Sequence, residues 1–200
     1  MRQFLGPLNK ENPILVQILG VCSALAVTAQ LKPAVVMSLS VIVVCGVANF
    51  IISLIRNTIP ARIRIIVQLI VIASLVILID QILQAFFYEI SKMLSIFVGL
   101  IITNCIIMGR LEAYALSHKP IPSFIDGIAN GAGYSVVLIV VGIIRELLGS
   151  GTLWNHTIIP DVAYQMGYLN NGLMILPPMA LIIVGTLIWI QNKMNAKYQL

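Results

Sequence analysis

The 200 residues are 60% hydrophobic and only 10% charged, with a mean hydropathy of +1.02. Soluble domains carry roughly a quarter charged residues, so a water-soluble domain of useful size is excluded and lipid is the solvent that fits this composition. The formal charge of +5 comes from basic residues spread along the chain, which argues against a nucleic-acid face and instead carries topology information.

A spanning helix needs about 20 predominantly apolar residues. In chain order the pattern predicts an all-α integral membrane protein with six spans, at 13–31, 33–55, 63–87, 94–109, 124–148 and 172–190, in one polytopic domain over residues 1–200. Met1 to Asn12 is polar and basic and reads as no cleavable signal peptide. Pro13, Pro33 and Pro122 stand at or just before span starts, where a missing N–H costs little. The first span is interrupted around Gly20, Cys22, Ser23 and Ala24. The second carries Cys45 in an unbroken apolar run, and the third carries Asp80 towards its end. The fourth is short and interrupted at Thr103, Asn104 and Cys105. The fifth opens with Asp126 and Gly127, continues through Gly131 and Gly133, and closes on Arg145 and Glu146. The loop after it, 149–171, holds Trp154, Tyr164 and Tyr168, aromatics suited to a membrane–water interface.

Basic residues set the orientation. Arg2, Lys10, Arg56, Arg62, Arg64, Arg110, Lys119, Lys193 and Lys197 fall on one side, and Lys32, Lys92 and Arg145 on the other, nine against three. Both termini are therefore expected in the cytoplasm, with the aromatic loop outside. The two sets of three spans read as inverted repeats. A Lys-Pro pair follows each interrupted span (Lys32-Pro33, Lys119-Pro120), and an Ile-Arg pair closes the next (Ile55-Arg56, Ile144-Arg145).

Short or broken segments at equivalent places in two halves point to a site at the bilayer midplane. A helix rises about 14 Å from Pro13 to Cys22 and about 16 Å from Leu94 to Cys105, at 1.5 Å per residue. Entering a core about 30 Å thick from opposite faces, both cysteines arrive near its centre, the arrangement of a metal site. A free cysteine in an apolar helix is more often a small packing residue. That reading is preferred for Cys45. For Cys22 and Cys105 the matched depth and the breaks bring the two readings level. A structural zinc gains nothing from burial in lipid, which favours iron–sulfur over zinc.

Among the carboxylates, Asp80 and Asp126 are candidates for an ion path, because ionisable residues inside spans usually face a cavity or a partner. Solvation at a helix end is the competing reading, and the ion-path role is not favoured over it for either residue. Arg110 with Glu112, and Arg145 with Glu146, read as interfacial anchors. The glycines after Asp126 allow close helix approach. His118 and His156 have no partner pattern, and no phosphate loop, nucleophile triad or dinucleotide fingerprint is present.

Several stretches carry a family resemblance: Leu19 to Thr28, Ser53 to Asn57, Arg64 to Gln68, Ile72 to Val76, Phe97 to Arg110, Pro122 to Gly127 and Arg145 to Gly151. On these the sequence resembles the D-type membrane subunits of the bacterial sodium-translocating NADH:quinone oxidoreductase, Nqr, over nearly the whole chain. The resemblance implies a bacterial inner-membrane protein that does not itself bind NADH. Its partners would be the E-type sister chain, of opposite orientation, and the other Nqr subunits, namely A, B, C and F. It implies a [2Fe–2S] cluster shared with the E-type chain, with Cys22 and Cys105 as this chain's two ligands. NADH and flavins would be bound by other subunits. The cluster would take electrons from the NADH-oxidising subunit and pass them to a flavin outside, while the complex reduces ubiquinone and exports sodium. The related Rnf ferredoxin:NAD ion pumps are an alternative, as are a metal-free secondary transporter and a purely structural membrane subunit.

Overall fold

The computed structural model describes residues 14–60, 62–86, 98–153, 156–157 and 172–197. The expected loop aromatics Trp154, Tyr164 and Tyr168, together with Pro13 and Lys92, lie outside the described residues.

The chain is built of helices. A short α1 (Val21–Val27) is followed by the long α2 (Leu31–Ile55) and α3 (Arg64–Phe86). Residues 98–102 form α4, a break follows, and α5 (Cys105–Arg110) then runs into one π-helical turn, Leu111–Ala115. The longest helix among the described residues is α6 (Pro120–Ser150). A 3-10 turn, Gly172–Ile175, leads into α7 (Pro177–Lys197). Among the described residues, four segments are long and apolar enough to cross a membrane: Leu31–Ile55, Arg64–Ile82, Val98–Ala115 and Pro120–Ser150.

The expected first span appears, among the described residues, as a turn, a break and the seven residues of α1. The fifth is longer than its expected bounds of 124–148 at both ends. Pro120 occupies the first helical position, where its ring presets φ and its absent N–H has no partner to lose. The far end stops on Gly151, whose φ of +68° is left-handed and whose N–H reaches the Leu147 carbonyl at 3.2 Å. A departure from all-helix follows at once: Thr152–Leu153 pairs antiparallel with His156–Thr157.

Among the described residues, the α2–α6 seam is the most extensive helix contact. It is close because glycines face it. A Cβ on Gly127 would meet the Cys45 carbonyl oxygen and Asn49 Nδ2, each at 2.7 Å, and one on Gly131 would meet Ile42 Cα at 3.0 Å. Without a hydrophobic force between helices in lipid, van der Waals contact of this kind holds them together. Cys45 is buried in this seam, among Val41, Val44 and Ala48. Leu39, Val43, Ile66, Ile70, Ile77 and Leu78 remain exposed on the outside of α2 and α3, as surfaces facing hydrocarbon do.

Candidate functional site: two thiols at paired helix breaks

The first break is made by backbone conformation. Ile18 has φ of +56° and Gly20 φ of +86°, so the chain turns out of helix before α1 begins. Gly20 is required there on two counts. Its φ is left-handed, which costs an L-residue roughly 1–2 kcal/mol, and a Cβ would lie 2.7 Å from Tyr134 Cε2. The second break is made by a cap. Asn104 is extended (φ −67°, ψ 118°), and its Oδ1 accepts the Ile106 N–H at 3.3 Å, restarting the helix as α5. Each cysteine sits within two residues of its break.

The breaks face each other. Cys22 Sγ and Cys105 Sγ are 4.0 Å apart, and the Gly20 N–H donates to Cys105 Sγ at 2.8 Å. Cys22 is exposed and Cys105 half-buried, while Cys45 is fully buried elsewhere. Behind the sulfurs lies a polar cluster inside the protein. Tyr134 of α6 is fully buried, with its hydroxyl 2.6 Å from Ser23 Oγ and 3.3 Å from Asn104 Nδ2. Ser23 Oγ also donates to the Gly20 carbonyl at 2.9 Å. Tyr134 lies about 21 Å along a helix of about 46 Å, at 1.5 Å per residue, so both breaks meet α6 near its middle.

The donor set can be tested against a metal. Two thiolates on one tetrahedral ion, with bonds of about 2.3 Å, stand about 3.8 Å apart. The 4.0 Å pair fits that geometry, and tetrahedral sulfur ligation belongs to zinc or iron–sulfur. Among the described residues no group of three or more His, Cys, Asp or Glu could hold an ion. The pair therefore offers two of the four ligands such a site takes.

The ion-path candidates lie apart from the thiols. Asp126 forms a two-bond pair with Arg110 (Nε to Oδ2 3.0 Å, Nη2 to Oδ1 2.6 Å), and Asn130 Nδ2 adds a third bond at 3.0 Å. This pair is mostly shielded, and the Arg110 guanidinium also stands over the Tyr114 ring. Asp80 accepts from Gln84 at 3.0 Å on an exposed stretch of α3. Glu112 pairs with Arg64 and accepts from Gln68 at 3.0 Å.

Arg145 and Glu146 depart from the anchoring role expected of them. Arg145 is only 1% exposed, and its guanidinium donates to Thr28 Oγ1 (2.6 Å) and the Leu25, Met174 and Ile175 carbonyls (3.3, 3.2 and 2.5 Å). Glu146 accepts the Leu31 N–H at 2.5 Å, at the start of α2. The pair thus grips both ends of the gap between α1 and α2. A guanidinium has five donors and no acceptor, which suits a place where a short helix and a 3-10 turn leave carbonyls unpaired. Sequence reasoning missed Tyr134, Ser23 and Asn104 as a group. Ser23 and Asn104 were visible as neighbours of the cysteines, but nothing in the spacing linked Tyr134 to them.

A multi-helix membrane protein that brings two thiols together at two helix breaks is the class these features define. The family described as Rnf-Nqr subunit, membrane protein, matches residues 1–188. A Yersinia enterocolitica protein, named as the D subunit of Na(+)-translocating NADH-quinone reductase, is 60% identical over 188 residues, covering 94% of this chain and 90% of its own length. The protein of the same name from Proteus mirabilis is 59% identical over the same shares. The chain belongs to the Rnf-Nqr family of membrane subunits.

Proposed function

We propose that this chain is the D-type membrane subunit of a sodium-translocating NADH:quinone reductase, in which it contributes Cys22 and Cys105 to a site shared with a sister chain. The observation that carries this reading is the 4.0 Å approach of the two sulfurs at paired helix breaks. The names borne by relatives near 60% identity support the choice of complex. The missing two thiolates come from a sister chain of inverted orientation, since a [2Fe–2S] centre takes four. When bound, such a centre supplies one-electron carriage between the NADH-oxidising subunit and a flavin subunit across the membrane.

The residues of this chain do the holding. The Gly20 N–H donates to Cys105 Sγ, offsetting part of the cost of placing anionic sulfur in hydrocarbon. Gly20 and Asn104 keep the thiols at their breaks. NADH and flavins belong to other members of the complex, whose remaining partners are the A, B, C, E and F chains of Nqr.

The same proposal places the chain in the bacterial inner membrane as one polytopic domain of six spans in two inverted repeats, with both termini cytoplasmic. Support comes from the order of elements: a broken segment precedes a long helix in each half, α1 before α2 and α4–α5 before α6. Reporter fusions after Gln199 and near His156 should give opposite signals, and matching signals would refute the topology. Asp80 and Asp126 are its candidates for an ion path. At Asp126 that role runs through opening of the Arg110 pair.

The test is purification of the whole complex with assay of iron and acid-labile sulfide and EPR of the dithionite-reduced state. A cluster signal that disappears in a complex carrying Cys22→Ala supports the reading. A metal-free but active complex overturns it in favour of a cluster-free subunit.

A further inference from the structure

We infer that Tyr134 is a positioning residue whose hydroxyl ties the two cysteine-bearing breaks together and so sets the separation and hydrogen bonding of the thiols; this rests on the reading of Cys22 and Cys105 as cluster ligands.

The hydrogen bonds around Tyr134 can be assigned a direction. Ser23 has one hydroxyl proton, and it goes to the Gly20 carbonyl. The short contact between Ser23 Oγ and Tyr134 OH is then donated by the tyrosine, which leaves the phenolic oxygen to accept from Asn104 Nδ2. The result is a one-way chain from Asn104 through Tyr134 and Ser23 to the Gly20 carbonyl. Each member has a role near a sulfur. Asn104 caps the helix that begins with Cys105, and its other amide atom, Oδ1, is held by the Ile106 N–H. Ser23 follows Cys22 directly. Gly20 gives its N–H to Cys105 Sγ while its carbonyl receives the end of the chain. Tyr134 comes from neither break but from the middle of the unbroken α6, so it gives both breaks a common reference.

The ring and the hydroxyl do different things. The ring fills the space against Gly20, with Cε2 close to where a Cβ would be. The hydroxyl, and not the ring, hydrogen-bonds to residues beside both breaks. Tyr134→Phe keeps the first and removes the second, leaving the Asn104 amide and the Ser23 hydroxyl short of a partner in a buried place. The Gly20 N–H to sulfur bond then loosens. Hydrogen bonds to cluster sulfurs are among the determinants of its potential, and they favour the more negative, reduced form.

The experiment uses the complete complex carrying Tyr134→Phe, Ser23→Ala and both together. Reduced-state EPR and a redox titration of the cluster are recorded beside iron content. Expected for Tyr134→Phe are near-wild-type iron, a changed and broadened EPR line shape, and a midpoint displaced to more negative potential. Ser23→Ala should displace it in the same direction. The double variant should show less than the sum of the two shifts, because both cut one chain. A Tyr134→Phe complex with the wild-type line shape and midpoint overturns the inference and leaves Tyr134 as packing. Shifts that add in the double variant overturn the single-chain arrangement. Should Tyr134→Phe not assemble, Ser23→Ala decides alone, a wild-type midpoint overturning the inference. A wild-type complex with no cluster signal would instead sink the ligand reading beneath it.

Discussion

The three cysteines of this chain fall in two regions of opposite construction. Cys45 lies in the α2–α6 seam, where two unbroken helices close on glycines and the thiol is wholly buried. Cys22 and Cys105 lie where two segments are interrupted, and their sulfurs converge although one is exposed and the other half-buried. In the seam the backbone satisfies itself within each helix, so side chains have only to fill space. At the breaks the backbone gives up helical bonds, and the freed groups turn to other work: the Gly20 N–H to a sulfur, the Gly20 carbonyl to Ser23. In the proposed reading a cysteine becomes a ligand through the backbone around it, and burial alone is no guide.

The sharpest way to break that contrast is to remove the cysteines in turn. Cys22→Ala or Cys105→Ala should abolish the iron signal and quinone reduction by the complex, while NADH oxidation with a soluble acceptor persists. Cys45→Ala should keep both, at a stability cost of about 1 kcal/mol for a small buried deletion. An iron-depleted Cys45→Ala complex would show that the two regions had been assigned the wrong way round.

Glycines allow the next comparison. Gly20→Ala adds a left-handed strain of roughly 1–2 kcal/mol and a clash with the Tyr134 ring. Iron per complex should fall severalfold, with the helices retained. Gly127→Ala presses on the Cys45 carbonyl instead. It should lower the thermal stability of the detergent-solubilised complex by about 1–3 kcal/mol, as overpacking does, yet leave iron per surviving complex unchanged. Equal iron loss from both variants would erase the distinction between seam and breaks.

The smallest expected effect concerns the carboxylates beside the seam. Asp126→Asn weakens the two-bond pair with Arg110 without touching either break. Cluster content should stay normal, and if Asp126 serves an ion path the sodium concentration for half-maximal turnover should rise severalfold. Asp80→Asn is the companion on exposed α3. An unchanged sodium titration for both variants would leave them as structural carboxylates.

The sequence alone was enough to establish a helical membrane protein. Composition forces lipid as solvent, and an apolar run in lipid has to become helix because its backbone finds no other partner. It also marked the breaks, since Gly20 and the Thr103-Asn104 pair stand out in otherwise apolar runs, and it foresaw the close approach at Gly127 and Gly131. What only the tertiary structure decided was which groups meet across the breaks. Tyr134 reaches Ser23 and Asn104 over separations of 111 and 30 residues. Arg145 turns inward to carbonyls near Leu25 and Met174 in place of anchoring at the interface. Local pattern fixes how each segment satisfies its own backbone. The partners of the groups left over are chosen by packing, which brings together residues far apart in the chain and leaves no periodic trace in it.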